Sequence, residues 1–263
     1  MEKVYYFTYK SILYFPHTRG VQLIHIPTTL LAMLDSSVGG KTGINFNSVK
    51  NIIGSFYQPE FVLSDIEFIN TLSEEEIICG LGEALKYTFL VGEDLRKYIQ
   101  KNLDKIFSLE TKQLNYVIDS CIRFKAGIVK EDEKEKSGLR KVLNLGHTFA
   151  HAIEIEQNHE VKHGQAVIMG LACAFHLSNR LNLLDDSSLS EYLSMIMRTS
   201  SKIKINKPVL HKILELMKHD KKSTGDEINF VLLNKAGNIL IDVKAGKEDI
   251  LYSLQNGLQY FII

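Results

Sequence analysis

The segment GLRKVLNLGHTFAHAIEIE, residues 138–156, determines most of what the sequence predicts about the fold. Its apolar residues recur at helical spacing and predict a single helix over 139–156 that is buried on most of its faces. Four polar residues recur at i, i+4, i+7 and i+11, which places them on one stripe of this helix: Arg140, Asn144, His147 and His151. Buried polar groups are costly without partners, so the stripe favours a functional site. The alternative is a half-exposed surface helix whose histidines are incidental.

Helices are also predicted on both sides of this segment. Ser73 and Glu76 form a capping-box pattern that begins a helix running to about Val91. The same periodicity predicts helices over 94–108, 110–130, 164–181, 187–199 and 207–219, and a last one from about Lys247. INFVLL and NILIDV, separated by NKAG, predict a small hairpin.

The first part of the chain has the pattern of an α/β fold. VQLIHI, residues 21–26, predicts a buried strand, and FVLSDI from Phe61 predicts a second strand. The long connection between them favours parallel pairing. In TTLLAMLDSSVGGKTGIN, between the two strands, Gly39, Gly40 and Gly43 predict a loop whose backbone can approach a ligand closely. We therefore expect an α/β part over residues 1–65 and a mostly helical domain over 66–263.

Composition excludes several classes of function. Lys and Arg number 31 and Asp and Glu number 31, so the formal charge is zero and bulk electrostatic binding to nucleic acid or an anionic membrane is not expected. The three cysteines are widely spaced and contain no CxxC, which argues against a disulfide scaffold and favours a reducing compartment. Neither a signal peptide nor an apolar run of about 20 residues is found. The sequence predicts a soluble, cytoplasmic protein.

Histidine and glutamate residues form a candidate metal site. His147 and His151 have the i, i+4 spacing of two ligands on one helix. His163, in VKHGQAV, offers a third imidazole, and Glu83, in GLGEALKYTFL, offers a carboxylate inside an apolar helix. Such a set suits a catalytic zinc that polarises a substrate oxygen. Two alternatives stay open, because HxxxH alone is a weak signal and an ion pair with Lys86 would also explain Glu83.

The glycine-rich segment DSSVGGKTG resembles a phosphate-binding P-loop, but Asp35 stands where the first glycine is required. A nucleoside triphosphatase is therefore not expected. Lys41 in this segment, with Lys50 and Asn51 in SVKNIIG, can hold an anion or a cofactor. The alternative is an ordinary glycine turn with solvated lysines. Lys125, in RFKAGIVKEDEKE, can likewise either bind an anion or be a solvated surface lysine.

Together these segments resemble the 3-dehydroquinate synthase family of sugar-phosphate cyclases. The resemblance extends from Arg19 to Leu233, and the joint order of its pieces is very specific: RG, IPTTLLAMLDSSVGGKTGIN, KNIIGSFYQP, GLGEALKY, FKAGIVKEDEKEKSGLRKVLNLGHTFAHAIE, HGQAV, DKKSTG and FVLL. It implies an enzyme of aromatic amino acid biosynthesis that uses NAD and a divalent metal, zinc or cobalt. Such an enzyme converts 3-deoxy-arabino-heptulosonate 7-phosphate, a small sugar-acid phosphate, into 3-dehydroquinate and phosphate. The resemblance also implies a homodimer.

The resemblance implies a role for each candidate residue. The metal would be held by Glu83, His147 and His163, so His151 becomes a substrate-side residue. The substrate and metal would be surrounded by Asp35, Lys41, Asn51, Lys86, Lys125, Glu135, Arg140, Asn144 and His151, with Arg19 and one of Lys221 and Lys222 on the phosphate. NAD would contact Thr28, Thr29, Lys41, Lys50, Phe68, Ile69, Asn70 and Thr71.

One family feature is not found in this sequence. The glycine-rich NAD motif GGGxxxDxxGF is expected just before Arg19, but no glycine precedes Gly20. We therefore expect residues 1–65 to be a truncated Rossmann-like part, and the chain alone to have little or no activity. The remaining alternatives are another sugar-phosphate cyclase or a metal-dependent polyol dehydrogenase of the same fold, or a non-catalytic fragment. Lys125, Arg140 and Asn144 disfavour the dehydrogenase, which holds no substrate phosphate.

Overall fold

The computed structural model describes residues 22–46, 49–220 and 228–262, with the backbone alone described for 44–46, 49–53, 219 and 220. The strands are β1 (Ile24–His25), β2 (Ile44–Phe46), β3 (Val49–Ile53), β4 (Phe61–Val62), β5 (Ile228–Lys235) and β6 (Asn238–Ala245). The α-helices are α1 (Glu74–Val91), α2 (Glu93–Phe107), α3 (Thr111–Glu131), α4 (His147–Glu156), α5 (His163–Arg180), α6 (Asp186–Ser200), α7 (Leu210–Asp220) and α8 (Lys247–Leu258).

The predicted parallel pairing is confirmed, because Ile24 of β1 lies opposite Phe61 of β4. The prediction that β1 is buried is wrong: Ile24 is 41% exposed and Ile26 is 44% exposed. Within the described residues β1 pairs with β4 alone, in a two-stranded sheet. A strand is buried on both faces only when further layers cover its sheet.

The segment after β1 contains one helical turn before the predicted glycine loop. Ala32–Ser36 form one π-helical turn that buries the side chains of Met33 and Leu34. The glycines after it do form a loop, with φ of 116° at Gly39 and 67° at Gly40. The loop is followed by an antiparallel hairpin of β2 and β3, which no turn signal in the sequence predicted.

Most helix bounds are confirmed to within a few residues. Helix α1 begins after Ser73, whose side chain accepts a hydrogen bond from the Glu76 N–H, as the capping pattern predicts. The hairpin of β5 and β6 is also confirmed, and its turn ends at Gly237. None of the helices in the described part of the chain combines the length and the apolarity that a membrane span needs.

The prediction of one helix over 139–156 is wrong. The chain forms a 3₁₀ helix, Leu139–Asn144, and then begins α4 at His147. Between them Gly146 has a φ of 79°, a left-handed conformation that only glycine adopts at little cost. The four polar residues therefore do not share one helical stripe, with Arg140 and Asn144 on the first helix and His147 and His151 on the second. Helix α4 itself is largely buried, which excludes the alternative of a surface helix.

Helix α5 lies at the centre of the helical part. Every residue from 166 to 178 is buried, as expected of a helix that is apolar on all sides. It packs against α1, α4, α6, α8 and β5. The ring of Phe175 lies 4.7 Å from that of Phe89 on α1 and 5.5 Å from that of Tyr192 on α6, centroid to centroid. Such aromatic pairs contribute about 0.5–1.5 kcal/mol each beyond area burial.

Helices α4 and α5 meet at glycines. A Cβ built on Gly170 of α5 would lie 2.3 Å from the carbonyl oxygen of Gly146, just before α4. Backbone atoms cannot move aside as a flexible side chain does. The position of α4 therefore depends on the absence of a side chain at residue 170.

We expect Gly170→Ala to lower the free energy of unfolding by at least about 2 kcal/mol, because the added methyl group overlaps this backbone. The matched control is Gly127→Ala on α3, where a Cβ would meet nothing within 4 Å. It should raise the free energy of unfolding by about 0.5–1 kcal/mol through helix propensity. Urea denaturation measures the free energy of unfolding of both variants. Equal changes in the two variants would contradict the close contact between residue 170 and the backbone of Gly146.

Candidate active site

Three side chains from three helices form a candidate metal centre. Glu83 lies in the middle of α1, while His147 and His163 are the first residues of α4 and α5. One potential ligand atom from each lies within 4.8 Å of the other two. Glu83 is 1% exposed, so its carboxylate requires a positive partner.

Glycines bring two of these helices together. A Cβ on Gly82 would lie 2.1 Å from the carbonyl oxygen of Gly164, and one on Gly164 would lie 1.8 Å from that of Cys79. The Gly164 N–H also donates to the Cys79 Sγ, at 3.2 Å. Because Gly82 precedes Glu83 and Gly164 follows His163, this contact sets the distance between the two ligands.

Both imidazoles direct the same nitrogen towards Glu83. The Nε2 atom lies 3.3 Å from Glu83 Oε1 in His163 and 3.6 Å in His147. The Nδ1 atoms have other partners, namely the carbonyl oxygen of Leu145, 3.2 Å from His147, and Oε1 of Glu154, 3.1 Å from His163. Hydrogen bonds at Nδ1 are what orient metal-binding histidines and leave Nε2 free for the metal.

The two histidines have opposite electrostatic surroundings. Burial, together with the Lys86 ammonium, lowers the pKa of His147 to about 3, so this ring is neutral at pH 7. Burial also disfavours the charged form of His163, but its hydrogen bonds to Glu154 and Glu83 outweigh burial and raise its pKa to about 10. The carboxylates around His163 thus favour a positive charge, which a divalent cation supplies as well as a proton does.

Lys86 lies beside the same carboxylate. Its Nζ is 2.5 Å from Glu83 Oε2 and 3.9 Å from Asp35 Oδ1. Burial raises the pKa of Glu83, but Lys86 and the two histidines hold that pKa well below its ordinary value. Lys86 also stays charged, since the Glu83 and Asp35 carboxylates raise its pKa against the effect of burial. The ion pair named as an alternative exists, and it occupies the oxygen that faces away from the histidines.

A second group of charges centres on Asp35. Its carboxylate lies 3.1 Å from the Nζ of Lys125, and the Tyr87 hydroxyl donates to it over 2.5 Å. Lys125 Nζ also donates to the Asp35 carbonyl oxygen, at 2.7 Å. The ammonium groups of Lys125 and Lys86 outweigh burial and lower the pKa of Asp35. Burial, only partly offset by Asp35, lowers the pKa of Lys125.

Arg140 and the glycine loop form the other side of the site. Arg140 is 5% exposed, and its guanidinium lies 3.3 Å from the Glu135 carboxylate and donates to the Glu133 carbonyl at 3.1 Å. Glu135 also pairs with Lys41. A Cβ on Gly39 would lie 2.8 Å from the guanidinium, so the loop approaches Arg140 through a residue without a side chain.

The structure places the other predicted site residues at different distances from the metal centre. His151 is close to the centre, with its ring 5.6 Å from that of His147 and 6.2 Å from that of His163. Asn144, predicted on the substrate side, is exposed. Thr28 and Thr29, predicted to contact NAD, lie just after β1. Phe68, Asn70 and Thr71 are exposed on the 3₁₀ helix Ile66–Thr71, whereas the Ile69 side chain is buried in the core. Arg19, Lys221, Lys222 and the side chains of Lys50 and Asn51 lie outside the described residues.

Two neighbours of the site were not predicted. Tyr87 contacts Asp35, and nothing in its position next to Lys86 predicts that hydroxyl contact. Glu154 contacts His163 and is 5% exposed, and the signal available in the sequence was a carboxylate in the apolar stretch HAIEIE. Both were missed because they act on other site residues.

The residues present fit a divalent metal ion. One carboxylate and two imidazoles are a common set for catalytic zinc, which keeps a further position open. The described residues contain a second possible group, His151, Glu154 and His163, which shares His163 with the first. The first group fits better, because Nε2 of both imidazoles faces Glu83 while Nδ1 of each is already bonded.

Comparisons with known proteins assign the chain to a family. The family model described as 3-dehydroquinate synthase C-terminal matches residues 80–223, and the one described as 3-dehydroquinate synthase N-terminal matches residues 13–79. The 3-dehydroquinate synthase of Campylobacter concisus (strain 13826) is 41% identical over 246 residues, which are 91% of this chain and 68% of that protein. That of Alkaliphilus metalliredigens (strain QYMF) is 40% identical over 224 residues, 85% of this chain and 63% of that protein.

A solved structure shares the fold. It is 2-deoxy-scyllo-inosose synthase complexed with carbaglucose-6-phosphate, NAD+ and Co2+, with a TM-score of 0.84 and 27% identity over 94% of this chain and 70% of that one. The fold is thus that of the sugar-phosphate cyclases. The chain belongs to the 3-dehydroquinate synthase family. It spans about two thirds of the length of the curated relatives it matches.

We expect the purified protein to contain about one zinc ion per chain, and the double variant Glu83→Ala, His147→Ala to contain almost none, since two of three ligands are removed. The control double variant, Glu110→Ala, His211→Ala, removes the same residue types at exposed positions. Elemental analysis measures the metal, and circular dichroism verifies folding. Equal zinc content in the two double variants would contradict the assignment of Glu83 and His147 as metal ligands.

Proposed function

We propose that this protein is a 3-dehydroquinate synthase that converts 3-deoxy-arabino-heptulosonate 7-phosphate into 3-dehydroquinate and inorganic phosphate. The observation that carries the proposal is the candidate metal centre of Glu83, His147 and His163, with the buried cation Lys86 on Glu83 and a second buried lysine, Lys125, beyond the shared carboxylate of Asp35. A metal ion next to fixed positive side chains matches a substrate with hydroxyl, carboxylate and phosphate groups. The relatives' names and their identity of about 40% support the same reaction.

The two cofactors would supply chemistry that the side chains lack. When bound, the metal would polarise the oxygen of the hydroxyl that is oxidised, and NAD would accept a hydride and later return it. The side chains bind and orient the substrate. Arg140 and Lys125 hold its anionic groups, and Lys86, fixed between Glu83 and Asp35, keeps its charge near the metal. Fixed charges need no reorganisation when substrate charge develops.

The α/β part supports an NAD site. Strands β1 and β4 are parallel neighbours, so their carboxyl ends lie at the same edge. Thr28 and Thr29 follow β1 and the segment Phe68–Thr71 follows β4, and dinucleotides bind at this edge in α/β folds. We infer that residues 1–65 belong to a Rossmann-like nucleotide-binding domain and residues 66–263 to a helical metal and substrate domain.

A phosphate-release assay tests the reaction. The relatives are longer than their matched part, so the assay uses both this chain and a chimaera that joins the unmatched part of the C. concisus relative to it. With NAD and zinc or cobalt, we expect the chimaera to release phosphate from 3-deoxy-arabino-heptulosonate 7-phosphate and to form 3-dehydroquinate, identified by mass spectrometry. The proposal is wrong if the C. concisus enzyme is active and the chimaera is not.

A second candidate is another sugar-phosphate cyclase, because the similar solved structure was complexed with carbaglucose-6-phosphate, an analogue of a hexose 6-phosphate. A hexose 6-phosphate therefore serves as the competing substrate in the same assay. Phosphate release from the hexose phosphate alone would favour that candidate. The homodimer and the cytoplasmic localisation stay predictions, and light scattering of the purified protein tests the first.

We expect Arg140→Ala in the chimaera to lower kcat/KM by about 10²-fold, because a charge-assisted contact is worth about 1.5–3 kcal/mol. Arg140→Lys should recover part of the loss, since it keeps the charge without the planar fork. The control, Arg123→Ala, removes an exposed guanidinium of α3 that pairs with Asp119. Unchanged kcat/KM for Arg140→Ala would show that this guanidinium does not contact the substrate.

A further inference from the structure

Glu154 contributes a buried carboxylate behind the candidate metal centre. Its side chain is 5% exposed, and its Oε1 lies 3.1 Å from Nδ1 of His163. We propose that Glu154 is a positioning residue whose carboxylate fixes the tautomer and the ring orientation of His163, so that Nε2 of His163 is presented to the metal. The inference rests on the metal site of the proposed function and concerns a residue that does not itself contact the ion.

The ring of His163 is held at both of its nitrogens. Nδ1 contacts Glu154, and Nε2 lies 3.3 Å from Oε1 of Glu83. If the ring turned over, a carbon atom would face the Glu154 carboxylate. A buried carboxylate that loses its hydrogen bond costs about 1–3 kcal/mol or more. Glu154 therefore selects the ring orientation with Nε2 on the metal side.

The second histidine ligand is oriented in a different way. Nδ1 of His147 is 3.2 Å from the carbonyl oxygen of Leu145, a neutral backbone group. A carboxylate makes the imidazole that donates to it more basic than a carbonyl does, and it brings a second negative charge near the cation. His163 is therefore the stronger metal ligand of the two histidines. Its strength depends on the Glu154 side chain, which can be substituted.

The helix geometry explains how Glu154 reaches His163. His147, His151 and Glu154 follow one another on α4 at i, i+4 and i+7, which is one face of the helix. That face is directed at the N-terminus of α5, where His163 is the first residue. Two residues further along α4, Glu156 is also buried, at 8% exposed, but it accepts hydrogen bonds from the Val209 N–H and the Gln157 side chain. Glu156 is thus a matched control that points elsewhere.

The test measures metal binding by the full chain freed of metal with a chelator. Zinc affinity is determined by calorimetry, and cobalt binding by its visible absorption spectrum, which reports the ligand geometry. Glu154→Ala should weaken metal binding by about 10–100-fold and change the cobalt spectrum, as loss of an orienting partner does. Glu154→Gln should lose only about 3–10-fold, because its amide oxygen still accepts from Nδ1. Glu156→Ala and Glu156→Gln should bind both metals like the wild type.

Each outcome decides a separate point. Wild-type affinity and spectrum in Glu154→Ala would overturn the inference. If Glu154→Ala does not fold, the zinc affinity of Glu154→Gln is compared with that of Glu156→Gln. Equal zinc affinities of these two variants would overturn the inference. If Glu83→Ala keeps its metal while Glu154→Ala loses it, Glu154 is a ligand and the positioning role is wrong. If the wild type binds neither metal, it is the metal site of the proposed function that fails.

Discussion

The close approach of α5 to its neighbours depends on glycines, and the position of every candidate metal ligand depends on that approach. Each ligand is adjacent in the chain to one of these glycines: Gly82 precedes Glu83, Gly146 precedes His147, and Gly164 follows His163. Any Cβ at these positions would lie 2.9 Å or less from the backbone of a neighbouring element. Contacts of this kind are hardly adjustable, so the distances between the ligands are set by the backbone and not by side-chain flexibility.

Periodicity predicts the helices well and their interruptions poorly. The bounds of α1, α5 and α6 follow from apolar spacing and from caps such as Ser73, which are local signals. The break before α4 has no such signal, because the apolar spacing is satisfied on both of its sides and a glycine inside a helix costs only about 1 kcal/mol. Gly146 combines a left-handed φ with a close approach to the backbone of α5, and that approach is a tertiary feature that local sequence patterns do not show.

The composition of the site was predictable from the sequence, but its geometry was not. Helical spacing placed Arg140 and His147 on one stripe, but the two residues lie on two helices and contact different parts of the site. The i, i+4 spacing suggested His151 as a ligand, whereas the residue that joins His147 at Glu83 is His163, from a different helix. Helical spacing relates residues of one element, while a metal site needs convergence of several. The residue types suggested Glu83 and His163 beside His147 and His151, and only the resemblance to a family separated His151 from the ligands before the structure.

The two explanations considered for Glu83, an ion pair and a metal ligand, are compatible because its two oxygens have different neighbours. Oε2 faces Lys86, and Oε1 faces both imidazoles. Lys86 thereby offsets part of the cost of burying the carboxylate without occupying the ligand oxygen. It also fixes the direction of the carboxylate, because a rotated carboxylate would lose the ion pair. The Lys86 ammonium is itself opposed by a second carboxylate, because Oδ1 of Asp35 lies 3.9 Å from its Nζ, so its positive charge is shared between Glu83 and Asp35.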